Sequence, residues 1–194
     1  MYGVIIKESK GNFIPYAFNF FEKSEHDRLT KLFRDEKLFT KAGNGEINSQ
    51  EFLSQLGFDD PVFHMKNYIE NHLTIDEDFY YFAEKFTGKY NFALLSNDVS
   101  DWSKHITQYY NLNKYFSAKI VSADVYCRKP EPKIFEIALR HFVADAKDCI
   151  FIDNSVENLN AANKFEIDTI LFNRDNEKYD GKTVYSFGEL SDML

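Results

Sequence analysis

RKPEPKIF at Arg128–Phe135, followed by CIFIDNSVENLNAA at Cys149–Ala162, is the stretch that decides how this chain folds. In its first half a lysine is held between two prolines' reach: Pro130 and Pro132 stiffen the backbone, and Pro132 stands where a helix begins, because a proline lacks only an N–H that the first turn leaves unused. In its second half a continuous apolar run gives way to Asp153, Asn154 and Ser155 and then to helical spacing. That is the signature of a buried strand, a polar strand end and a crossover helix.

The same succession recurs on both sides. Val4–Ile6, Phe92–Leu95, Lys119–Ser122, Cys149–Ile152 and Thr169–Phe172 each read as a short strand that is continuously apolar, as strands covered on both faces are. Trp102–Tyr110, Pro132–Phe142 and Val156–Phe165 have the length and spacing of crossover helices. A βαβα series of this kind predicts an α/β fold with a doubly wound parallel sheet and right-handed crossovers. Val184–Tyr185 adds a short edge strand before a closing helix at Phe187–Leu194.

More than one crossover helix fits between the first two runs. The intervening residues read as helical throughout: the Ala17–Phe33 region, Ser49–Leu56, Pro61–Asn71 and Asp76–Thr87, with Asn48 or Ser49 as N-cap of the second. The predicted organisation is a core of residues 1–14 and 88–194 with a helical cap at 15–87. At 194 residues the chain buries one full core, and 20 Phe and 12 Tyr supply much of its apolar area. A net charge of −8, spread along the chain, speaks against nucleic acid or an anionic membrane as partner. No apolar run reaches the roughly 20 residues of a membrane span, and the start lacks the apolar core of a secretory signal, so a cytoplasmic location is expected. Cys127 and Cys149 match neither zinc nor redox spacings.

FALLSND at Phe92–Asp98, RKPEPKIF and CIFIDNSVENLNAA together resemble the second, third and fourth motifs of the haloacid dehalogenase (HAD) superfamily, in its phosphatase-like branch with a small helical cap (subfamily I). GVIIKESKGNF at Gly3–Phe13 has the outline of the first motif. The resemblance implies a Rossmann-like HAD core, a helical cap over the carboxyl ends of the strands, Mg²⁺ as cofactor and a small phosphorylated or anionic molecule as ligand. It places Ser96, Asn97 and Lys129 as phosphate-binding groups, Glu8 and Lys10 at the nucleophile and acid–base positions, and Asp153 and Asn154 at the metal.

Three of those positions depart from the family pattern, which has aspartates where this chain has Glu8, Lys10 and Asn154. The extra methylene of Glu8 pushes its carboxylate forward by roughly one C–C bond, and a misplacement near 1 Å costs on the order of a hundredfold in rate. A protonated Lys10 neither accepts the proton of a hydrolytic water nor binds Mg²⁺. The implied function is therefore a HAD-like hydrolase with lost or strongly impaired Mg²⁺-dependent phosphatase activity and a retained anion-binding crevice. Two alternatives stay open: a working hydrolase with an altered first motif, in which Glu8 attacks, and a non-catalytic protein-interaction module.

Overall fold

The computed structural model describes residues 1–9 and 11–194; Lys10 lies outside the described residues. Six helices come first: α1 (Phe13–Phe18), α2 (His26–Arg34), α3 (Leu38–Gly43), α4 (Ser49–Leu56), α5 (Pro61–His72) and α6 (Asp78–Phe86). Their ends follow local chemistry. Asn48 caps α4 through a reciprocal capping box with Glu51, and Asp60 accepts the Phe63 N–H at the start of α5, where Pro61 fills the first position. α4 stops at Gly57, whose φ of +100° ends the helix in the left-handed region that glycine reaches without strain.

The remainder alternates strand and helix: β1 (Phe92–Ser96), α7 (Ser100–Tyr109), β2 (Phe116–Val121), α8 (Ser122–Val125), α9 (Pro132–Phe142), β3 (Ile150–Asp153), α10 (Val156–Asn163), β4 (Asp168–Phe172), β5 (Lys182–Val184) and α11 (Phe187–Met193). β1 pairs with β2 in parallel, Leu95 opposite Ile120. β3, β4 and β5 form a second parallel ladder, with Asp153 opposite Leu171 and Phe172 opposite Val184. The α/β core predicted from the strand–helix alternation is therefore present. Its apolar packing divides in two. Leu94, Ile170, Phe172 and Trp102 join the residues of α1 to α6 and α11 in a large cluster, while Ile120, Ile134, Phe135, Ala162 and Ile167 form a smaller one with Leu95 and Phe151 against it.

One predicted strand is absent. Val4–Ile6 is buried but coiled: the Met1 carbonyl accepts the N–H groups of Val4, Ile5 and Ile6 at 3.3, 3.0 and 3.1 Å, so the segment satisfies itself as a turn instead of through a ladder. Gly3, at φ +72°, makes that turn possible. Single bridges, Tyr2 with Ile6 and Ile6 with Ile75, and the Asp76 N–H and Arg174 guanidinium, which donate to the Ile5 and Val4 carbonyls, tie it to its surroundings. The Ala17–Phe33 stretch also resolves into two helices, α1 and α2, with a single 3₁₀ turn at Lys23–Glu25 between them. Among the described residues, no helix is long and apolar enough to cross a membrane.

Candidate functional site

Ser96, Lys129 and Asp153 converge at the carboxyl ends of β1 and β3, all of them buried. The lysine is the centre. Its Nζ donates to Asp153 Oδ2 at 2.7 Å and to the Leu95 carbonyl at 2.9 Å, and it lies 5.3 Å from the centroid of the Phe151 ring. Asn97 holds the lysine's main chain in place: its Oδ1 accepts the Lys129 N–H and its Nδ2 donates to the Lys129 carbonyl, both at 2.8 Å. The amide expected to face an anion thus spends one of its two N–H donors on the backbone. The bond from Lys129 to Pro130 is cis.

Both oxygens of Asp153 are engaged. Oδ1 accepts the Ser155 N–H at 2.9 Å and Asn158 Nδ2 at 3.0 Å, and Oδ2 takes Lys129. Burial pushes its carboxyl up, but the Lys129 charge and hydrogen bond, helped by Asn158 and the Met1 amino group, outweigh it and hold the group below its usual range. Asn154 donates to Asp175 Oδ2 at 3.1 Å, and Ser9 Oγ donates to Asp175 Oδ1 at 3.0 Å. A side chain at Gly3 would meet Asn154, since a Cβ there would sit 2.2 Å from its Nδ2.

Glu8 is placed differently. Its Oε2 accepts the Thr74 N–H at 2.7 Å and its carbonyl accepts the Gly3 N–H at 2.9 Å, so it fastens the first loop to the segment between α5 and α6. The charges that act on Asp153 are instead those of Lys129 and the Met1 amine. Lys10, expected at the acid–base position, falls outside the described residues.

Three groups escaped sequence reading. Asp98 is buried, its Oδ1 accepting the Val99 N–H at 2.8 Å while Oδ2 has no hydrogen-bond partner. Burial pushes it up to about 7, against the pull of the Val99 N–H and the Met1 amine. The Tyr2 phenol beside it is raised by burial first and by Asp98 second; its hydroxyl and the Asp98 carboxylate act on one another, although neither the hydroxyl nor Asp98 Oδ2 has a partner at hydrogen-bond distance. The Met1 amine is pulled down to about 5, by burial and then by Lys129. An acid directly after an apolar strand was a signal for Asp98, but Ser, Asn and Asp in that place equally mark a helix cap. Here Val99 takes the N-cap position, and no side chain caps α7.

The donors present do not fit Mg²⁺. The ion wants several hard oxygen ligands, whereas both oxygens of Asp153 serve protein donors and Asn154 is bonded to Asp175. Among the described residues no three His, Cys, Asp or Glu side chains come together as a metal set.

A family model described as a haloacid dehalogenase-like hydrolase matches residues 1–165. The chain belongs to the haloacid dehalogenase-like hydrolases. Solved structures with the same fold include a HAD family enzyme of Bacteroides thetaiotaomicron in complex with magnesium and inorganic phosphate, 22% identical over 93% of this chain and 94% of that one, with a TM-score of 0.75. A HAD phosphatase of Thermococcus onnurineus is 17% identical over 100% and 94%, with a TM-score of 0.79. The L-2-haloacid dehalogenase of Xanthobacter autotrophicus with chloropropionic acid covalently bound is 14% identical over 99% and 94%, at 0.67. Identities this low speak for the HAD fold alone. No curated protein matches the chain.

Proposed function

We propose that this HAD-like hydrolase has lost, or nearly lost, Mg²⁺-dependent phosphoryl transfer and keeps a weak anion-binding crevice at Ser96, Asn97 and Lys129. Residues 15–87 serve as its helical cap and residues 1–14 and 88–194 as its core. The observation that carries this reading is the closed state of Asp153, whose two oxygens accept Lys129, the Ser155 N–H and Asn158. A carboxylate so occupied keeps one acceptor site, on the Oδ2 that already faces the Lys129 ammonium, where a cation would meet like charge, and Glu8, anchored on Thr74, is not aimed at the pair. Lys129 Nζ keeps one donor beyond Asp153 and Leu95, which is the anion-binding capacity left to it.

The test pairs turnover with binding. Hydrolysis of simple phosphomonoesters with Mg²⁺ is expected to be no faster than in a Glu8→Gln control, and Mg²⁺ at millimolar concentration is expected to leave Tm unchanged, because only a bound ligand stabilises by mass action. Inorganic phosphate is expected to bind weakly and to lose affinity in Lys129→Ala. Metal-dependent turnover that disappears in the Glu8 control, or a Mg²⁺-induced rise of several degrees in Tm, overturns the reading.

A further inference from the structure

α5 turns an uncovered apolar face outward. Val62 and Phe63, in its first turn, are 44% and 54% exposed, and Phe20 is 45% exposed. Phe20 and Phe63 flank one imidazole: the His64 ring lies 4.7 Å from the first and 5.1 Å from the second. The opposite side of the helix is firmly seated. Tyr68 and Ile69 are buried, and the Tyr16 hydroxyl accepts Asn67 Nδ2 at 3.1 Å and lies 3.1 Å from His64 Nδ1. A packed helix therefore holds the exposed side chains in place, and contiguous apolar surface with a polar rim marks an interaction site.

The rim carries one sign at each end. Asp59 and Asp60 stand before the helix, and Lys66 follows Phe63 and Val62 by three and four residues, on the same face. Asp60 Oδ1 accepts the Phe63 N–H at 3.0 Å. Glu70, the acid four residues beyond Lys66, holds His105 at 2.7 Å instead. Among the described residues the ion pairs include neither Asp59 nor Lys66. A face with its acid at one end, its base at the other and apolar side chains between is complementary to itself turned end over end.

We propose that this face is the contact between two copies of the chain, with α5 of one copy antiparallel to α5 of the other about a twofold axis that passes between Val62 and Phe63. Such an axis brings Phe63 against Phe63 and Val62 against Val62, and it sets Asp59 of each copy over Lys66 of the other. A partner of single charge satisfies one end of the face and leaves the other with like charge; a second copy satisfies both. The contact is isologous, so it closes at two subunits. One helix pair with Phe20 at its margin belongs to the small interfaces, below about 1,200 Å² in total, and gives a weak, concentration-dependent dimer. The rim charges then fix orientation more than affinity. The face shares no residue with Ser96, Asn97, Lys129 or Asp153, so the proposal stands apart from the anion-binding reading.

The experiment is sedimentation velocity of the whole protein over a concentration series reaching the millimolar range, with every variant first checked for folding by circular dichroism. The wild type is expected to show a monomer–dimer equilibrium, and Phe63→Ser to weaken it about tenfold or more, as the loss of a central aromatic anchor does. Asp59→Lys and Lys66→Asp each bring like charges together, so each alone is expected to stay monomeric where the wild type dimerises. Mixed in equal amounts they are expected to dimerise again, since each then offers the sign the other needs, and a chain carrying both substitutions is expected to do the same alone. If Asp59→Lys does not fold, Phe63→Ser and Lys66→Asp still decide the matter. A wild type that stays monomeric throughout, a Phe63→Ser or Lys66→Asp protein that dimerises as tightly as the wild type, or folded charge variants that stay monomeric when mixed overturn the proposal.

Discussion

Replacing Lys129 by Met removes one partner from an ion pair in which both side chains are almost completely buried, at 5% and 6% exposure. Met keeps most of the stem's packing on Phe151, so the loss is chiefly electrostatic. The Asp153 carboxylate then retains the Ser155 N–H and Asn158 but no firm counter-charge, because burial pulls the Met1 amine down to about 5. Stranding one member of a buried pair costs about 3–5 kcal/mol. In a chain of 194 residues that corresponds to a Tm lower by about 10 °C, at roughly 2–4 °C per kcal/mol.

The pH dependence gives the sign. In the native protein Asp153 is held below its ordinary 3.8, so its contribution is present above that value and fades as pH falls through the lowered pKa. In Lys129→Met, burial is opposed only by Asn158 and the Met1 amine and raises the pKa, so the deficit is full at high pH and shrinks on acidification as the stranded carboxyl takes up a proton. The assay is urea unfolding at pH 7.5 and pH 5 for the single variant and for Lys129→Met with Asp153→Asn. The double variant keeps an oxygen for Ser155 and Asn158 and is expected to recover most of the loss. A single-variant deficit below about 1 kcal/mol at pH 7.5, or a double variant no better than the single, refutes the argument.

Asp98→Asn is expected to change the pH profile in the opposite sense to an exposed acid. With a native pKa of about 7 against 3.8 unfolded, Asp98 gains a proton on folding between those values, so the wild type improves relative to the variant as pH falls from 7 toward 4. The ceiling is about 4 kcal/mol, at about 1.4 kcal/mol per pH unit. Comparing the two proteins cancels the Met1 amine, which loses stability as pH falls from 8 to 5; parallel profiles for the two proteins would refute the assignment. Arg174→Ala is expected to cost about 2–4 kcal/mol in urea unfolding, because it strands a nearly buried Asp76 and frees the Val4 carbonyl, to which Arg174 donates at 3.0 Å. A loss within about 0.5 kcal/mol would show that clasp to be superficial.

Four strands and their crossover helices were legible because buried parallel strands and amphipathic helices write different periods into the chain. α9 occupies Pro132–Phe142 as the proline and spacing predict, and α4 begins where Asn48 and Glu51 form a capping box. Val4–Ile6 misled because three apolar residues are buried equally well in a turn, and periodicity over so short a run does not separate the two. Leu38–Gly43 went unread because α3 is a short helix whose preceding residue, Lys37, sits at φ +51° without any capping side chain. That Ser96, Lys129 and Asp153 lie near one another was legible because strand ends in such folds face a common crevice. Asn158 and Asp98 were not, since their roles arise from what they meet in space: Asp153 for one and a partnerless burial beside Tyr2 for the other. Glu8 follows a segment, Val4–Ile6, that forms no strand, so the strand end on which the resemblance places a nucleophile is not present there.

Trp102 is the chain's single tryptophan, and it is also the bolt between the helices of the first half and the core. Its ring centroid lies 5.0 Å from Phe13, 5.5 Å from Tyr68 and 5.9 Å from Phe52, and its Nε1 donates to Ser49 Oγ at 2.7 Å. Drawing the helical half away as a rigid body would wet a side chain of about 200 Å² or more, at roughly 25 cal/mol per Å² on this ring alone. The molecule consequently carries its own spectroscopic gauge: indole emission is expected to stay blue while Trp102 keeps its contacts with Phe13, Phe52 and Tyr68 and to shift red when they open, without a label.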